Sequence, residues 1–208
     1  MRLTRLIIAT VAAAFLALPV TGHGARAQAE WINAARQGGH VIVFRHGATF
    51  NDQADTDPLH PENVDKQRQL NDQGRAQAKA IGDAMRKLKI PVGAVNTSVF
   101  NRAAETGKLL GFGEVKPSLD FTEGGLVVSP NENARRAAAM RKIAATLPPA
   151  GTNVIVVTHK PNILDAFGKD WFDVKEGEAT IFKPDGNAYK AVARVQADDW
   201  AKLAAASN

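Results

Sequence analysis

The chain has no cysteine in its 208 residues, and only 6% of them are aromatic. Without cysteine there is no disulfide scaffold, no thiolate nucleophile and no cysteine zinc site. Nor does the sequence hold a basic stripe with aromatics between the charges, the usual footprint of a nucleic-acid partner. The nearest approach, Arg135, Arg136, Arg141 and Lys142, reads as a solvated helix face. Internal repeats, low-complexity stretches and linkers are also missing. The Asp-rich stretch around His60 has neither the carboxylate spacing nor the central glycine of a calcium loop, so no metal site is expected.

One long apolar run exists, and it lies at the start. Arg2 and Arg5 precede the run from Leu6 to Val20, and Ala27-Gln28-Ala29 follows, the order of a cleavable export signal. Fifteen residues fall short of the ~20 that a spanning helix needs, so no stable membrane insertion is expected. Residues 1–29 are expected to be removed, leaving an exported, periplasmic domain over residues 30–208. Loss of Arg2, Arg5 and Arg26 lowers the net charge from +5 to +2, so the basic character is partly that of the leader.

Beyond the leader, runs of strand type alternate with segments of helical period. This predicts one three-layer α/β/α domain around a mainly parallel central sheet. Val41-Ile42-Val43-Phe44 and Val154-Ile155-Val156-Val157 are continuous, mostly β-branched runs, as in strands covered on both faces. Val92 to Val95 is a weaker third. Ile81, Ala84, Met85 and Leu88 follow the i, i+3, i+4, i+7 rule, as do Met140, Ile143, Ala144 and Leu147, so both sets are expected on helices packed against the sheet. Asn71 is placed to cap the first of these helices and Pro91 to end it. Ala179 to Phe182 and Ala191 to Val195 flank Pro184-Asp185-Gly186, which predicts a hairpin, and a last helix starts near Asp198.

The chemistry should lie where strands end. Arg45 and His46 stand just past the first strand and His159 just past the second, while Arg102 would open a helix after the weaker third. Parallel strands bring such ends to the edge of the sheet where α/β proteins bind small molecules. Two guanidiniums can hold phosphoryl oxygens in bidentate fashion, a neutral imidazole can attack phosphorus, and a protonated second imidazole would add a donor. The polar, aperiodic stretch from Asn51 to Gln69 leaves the same edge as a long loop, a length that points to function. It ends near Arg68, a candidate contact for substrate anions. Glu176 and Glu178 are expected to border a strand, the alternative being that they point into the pocket.

Arg45-His46-Gly47, with Thr49 following, resembles the signature of the histidine phosphatase superfamily, the phosphoglycerate mutase-like proteins. Leu70 to Ala78 is similar to the helix start that follows the first loop in the smaller branch (branch 1). Ser98-Val99-Phe100-Asn101-Arg102-Ala103, with Thr106, resembles the segment that supplies the second phosphate-binding Arg, and Val157-Thr158-His159-Lys160-Pro161-Asn162 the one that supplies the second His. Val99 departs from the usual Pro. Lys160 stands where the larger acid-phosphatase and phytase branch has its proton-donating Asp, which points to the smaller branch.

The resemblance implies a phosphatase of phosphomonoesters or similar small molecules, working through a phosphohistidine on His46 without metal or other cofactor. Arg45, Arg102 and His159 would form the phosphate pocket, with Gly47, Thr49 and Arg68 as substrate contacts. The proton donor would be Glu123, with Glu132 in reserve. A mutase would lack phosphorylated sugar pools outside the cytoplasm. The alternative is a non-catalytic periplasmic binder of phosphate, or of a phosphorylated glycan or lipid head group, using the same pocket.

Overall fold

The computed structural model describes residues 30–124 and 127–207. The expected export signal, residues 1–29, lies outside them. Among the described residues no helix is long and apolar enough to cross a membrane.

A helix over 30–36 (α1) leads into strand β1 (Val41–Arg45), followed by α2 (Asp72–Lys87), β2 (Val92–Thr97), α3 (Asn101–Leu110) and β3 (Val115–Pro117). Next come α4 (Pro130–Ala145), β4 (Asn153–Thr158), α5 (Lys160–Phe167), the hairpin β5 (Ala179–Asp185) and β6 (Ala188–Val195), and α6 (Asp199–Ala206). The sheet order is β3-β2-β4-β1-β5-β6. β3, β2, β4 and β1 run parallel, while β5 is antiparallel to both β1 and β6.

Alternation along the central strands divides the core into two layers, because successive side chains leave a strand on opposite faces. Ile42 and Phe44 of β1, with Ile155 and Val157 of β4, pack under α1, α2, α3 and α6, where Trp31, Met85, Leu110 and Trp200 meet them. Val41, Val43 and Val156 face the other way, against Met140 and Ala144 of α4 and Ile163 and Ala166 of α5. The three layers match the expectation.

Asn71 caps α2 by accepting from the Gly74 N–H at 2.8 Å. Glycine is needed at this crossing, since a Cβ on Gly74 would lie 2.1 Å from the Ala48 carbonyl oxygen and one on Gly47 would lie 2.9 Å from that of Gly74. The chain after β1 and the first turn of α2 can therefore touch.

Three local expectations are corrected. Leu147 does not share the buried face of α4: the helix stops at Ala145 and Leu147 is exposed. Pro184 and Asp185 belong to β5, which pairs with β6 as far as Asp185–Ala188, so the hairpin turns at Gly186 with φ +60°. Arg136 is not solvated. It is buried and donates to the Thr122 carbonyl at 2.8 Å, pinning the segment that leads to Glu123.

Candidate active site

Strand register decides where the two histidines stand. β1 and β4 pair up to Arg45–Thr158, and the His46 N–H donates to the Thr158 carbonyl at 3.0 Å. His46 and His159 therefore both leave the sheet one residue beyond its last pair, on neighbouring strands. Their ring centroids are 5.2 Å apart with planes at 59°, and each residue is 1% exposed. On the other side of β4, the Ser98 N–H bonds to the Val157 carbonyl at 2.9 Å and brings the start of α3, with Arg102, to the same edge.

The tautomer of neutral His46 follows from one hydrogen bond. Nδ1 lies 2.8 Å from the Gly47 carbonyl oxygen, which can only accept, so Nδ1 carries the proton and Nε2 keeps its lone pair. Burial holds the imidazole well below its ordinary pKa; a proton on His159 would oppose a second one here, and the charges of Arg102 and Arg45 push the same way. His159 is likewise held well below its ordinary value by burial and then by Arg102, Arg68 and Arg45. The protonated form in which His159 would add a second donor is thus disfavoured here, because three guanidiniums already supply positive charge to a site with little water to screen another.

Arg102 is fully buried. Its two terminal nitrogens bond both oxygens of Asp55, at 2.9 and 3.0 Å, and one of them also bonds Glu123. Its guanidinium carbon lies 4.8 Å from the centroid of Phe100, whose ring in turn meets His159 edge-on at 5.6 Å. Arg45 donates to the Val174 carbonyl at 2.9 Å and to Glu176 at 3.3 Å. The Nε atoms of both arginines and both ring nitrogens of His159 are buried without a hydrogen-bond partner among the described residues. Buried polar groups are nearly always paired, so a set of unpaired nitrogens on one buried and one half-buried guanidinium and a buried imidazole marks an anion's place.

Glu123 is in the pocket, its Oε1 on Arg102 and 3.3 Å from Nδ1 of His159. Its segment is held from three sides. The Thr122 carbonyl accepts from Arg136 and Asn162, and the Phe121 carbonyl accepts from the Thr158 hydroxyl at 2.7 Å. Glu132 instead pairs with Arg135 and Arg136, which pull its carboxyl down to about 2. That carboxylate is a poor proton donor near neutrality.

Gly47 and Thr49 are already engaged. The Gly47 N–H donates to the Thr106 hydroxyl at 3.0 Å, and the Thr49 hydroxyl donates to Glu176 at 2.9 Å. Arg68 adds to the positive field felt by His159 and Arg45. Asp55 and Phe100 join the site without having been read as part of it, and Glu176 takes the less favoured of its two readings, in the pocket on Arg45 and Thr49. Glu178 does border β5, buried against Arg194 and Gln196. Glu176 was legible in principle, since an antiparallel strand begins at the edge where its parallel neighbours end, and β5 begins opposite Phe44.

The family model of the histidine phosphatase superfamily (branch 1) matches residues 41–124. Among solved structures, the chain is similar to the protein histidine phosphatase SixA complexed with tungstate (TM-score 0.54, 18% identity, covering 77% of this chain and 98% of that one). It is also similar to mycobacterial glucosyl-3-phosphoglycerate phosphatase (TM-score 0.52, 16% identity, 74% and 97%) and to mycobacterial hydrolase 1 (TM-score 0.51, 14% identity, 74% and 97%). At these identities the likeness shows a shared fold. No curated protein matches the sequence.

Proposed function

We propose that the chain is a branch 1 histidine phosphatase that hydrolyses phosphomonoesters or related phosphorylated small molecules through a phosphohistidine on His46. The observation that carries this reading is the state of His46: a buried, neutral imidazole whose Nδ1 is committed to a carbonyl, leaving Nε2 as the nucleophile. Arg45, Arg102 and His159 surround it with donors.

In the first step Nε2 attacks phosphorus. The P–N bond forms as the bond to the leaving oxygen breaks, and that oxygen takes a proton from Glu123 in its acid form. In the second step water attacks phosphorus and gives a proton to the Glu123 carboxylate; the new P–O bond forms as the P–N bond breaks, which returns the lone pair to Nε2 and releases phosphate. The guanidiniums contribute preorganised positive charge where the phosphoryl oxygens gather negative charge, in a site largely closed to solvent. The reading invokes no metal, so EDTA should leave activity unchanged. The reading includes export: residues 1–29 would be absent from the mature protein, which N-terminal sequencing of the secreted form checks.

His46→Ala should abolish turnover of an aryl phosphate, and rapid acid quench of the wild type should trap labelled phosphate on His46. Full activity in the variant would remove the assignment. Tight phosphate binding by the wild type with no turnover would favour the non-catalytic binder.

A further inference from the structure

We propose that Asp55 is a built-in competitor for the phosphoryl group, a carboxylate seated on Arg102 that a substrate must displace. The inference rests on the phosphoryl-site reading above. Arg102 offers a planar fork, and Asp55 fills it with two oxygens at 2.9 and 3.0 Å. Two phosphoryl oxygens would need that same fork, because carboxylate and phosphate are bound by guanidinium in the same bidentate geometry. The two anions therefore exclude one another there.

The loop that carries Asp55 is built to let go. Its base is closed by the Phe50 N–H on the Gln69 carbonyl, and is tied to α3 by Gln67 and Gln69, which bond the backbone and side chain of Asn101. These ties do not pass through Asp55. Between them, residues 51–54 and 62–66 are exposed, so little apolar burial holds the tip down. Asp55 is one of its fastenings, beside the Gln69 N–H on the Gln53 side chain and the Thr56 N–H on the Lys66 carbonyl, since the Oδ1 atom on Arg102 also accepts the Arg68 N–H at 3.0 Å. Moving one carboxylate thus frees the fork and releases the loop from Arg102.

An internal competitor selects by charge. A monoanion gains little over the carboxylate it replaces, whereas a phosphoryl dianion brings twice the charge to Arg102, Arg45 and Arg68. Asp55 would thereby set a threshold that favours dianionic phosphoryl groups, and it would also help expel the phosphate product.

The test is calorimetric binding of inorganic phosphate to the full chain carrying Asp55→Ala or Asp55→Asn. Apparent affinity is reduced by the fraction of molecules able to bind. A carboxylate seated about nine-tenths of the time therefore predicts about ten-fold tighter phosphate binding in both variants, with KM and the inhibition constant for phosphate falling together. Asn keeps an oxygen for the Arg68 N–H, so it guards against a variant that fails to fold. Tighter binding by Asp55→Asn alone would credit its new amide donor and overturn the proposal. So would unchanged or weaker phosphate binding in both variants, or a fall in kcat at constant KM. If neither the wild type nor the variants bind phosphate or cleave an aryl phosphate, it is the phosphoryl-site reading that fails.

Discussion

His46 and His159 face one another 5.2 Å apart, and both are held neutral although each ring could take up a second proton. The cause is shared. Burial removes the water that would stabilise a charged ring, and neighbouring guanidiniums repel the proton. On the His46 ring, Nε2 thereby keeps a free lone pair.

The neutral pair makes stability depend on pH. Each imidazole titrates near 6.5 when unfolded and well below that when folded. Between the two values the unfolded chain binds more protons, so stability declines as pH falls below about 6.5 and levels off below the folded value. Each group contributes about 1.4 kcal/mol per pH unit in that window. His40, also lowered by burial, adds to the slope. Denaturant titrations at pH 7.5 and 5.5 should show the loss, and His159→Ala should lessen it. An identical slope in the variant would contradict the burial argument. The acidic limb of kcat/KM should likewise lie below the ordinary imidazole value.

Arg102→Lys keeps the charge and loses the fork. If the two-nitrogen geometry matters, kcat/KM for an aryl phosphate should fall about 10²-fold or more, the scale seen when one preorganised donor to a developing anion is removed. A change of less than about three-fold would show that charge alone suffices.

Glu123→Gln separates the leaving-group proton from the rest of the chemistry. Turnover of an alkyl phosphate, whose alkoxide leaves poorly, should drop about 10²-fold or more, while an activated aryl phosphate should be affected much less. Equal losses on both would place Glu123 in binding, through its contact with Arg102.

Gly74→Ala sets helix propensity against packing. Alanine is favoured over glycine inside a helix by about 0.5–1 kcal/mol, but its Cβ would lie 2.1 Å from the Ala48 carbonyl oxygen. Backbone cannot give way as a side chain can, so a net destabilisation of about 1–3 kcal/mol is expected from chemical denaturation. Activity should fall as well, since Ala48 is two residues from His46. A stabilised variant would refute the close approach.

Much of this molecule is local and was therefore readable along the chain. The β-branched runs at Val41–Phe44 and Val154–Val157, the Asn71 cap and the apolar period of α2 are set by neighbours a few residues away. So was the placing of Arg45, His46, Arg102 and His159, because residues just past parallel strands share one edge whatever the loops do. α5 opens immediately after His159, and its start was masked by Pro161, which sits in a first turn that tolerates it. The three residues of β3 carry too short a pattern to stand out.

What the chain alone determined was an α/β sheet with two histidines and two arginines at its C-terminal edge. Tertiary structure alone decided how they are wired. The neutrality of both rings and the seating of Asp55 on Arg102 depend on burial and on groups up to 114 positions apart in sequence. Electrostatic and hydrogen-bond energies vary with distances of tenths of an ångström in a medium that excludes water, and no pattern of neighbouring residues encodes such distances.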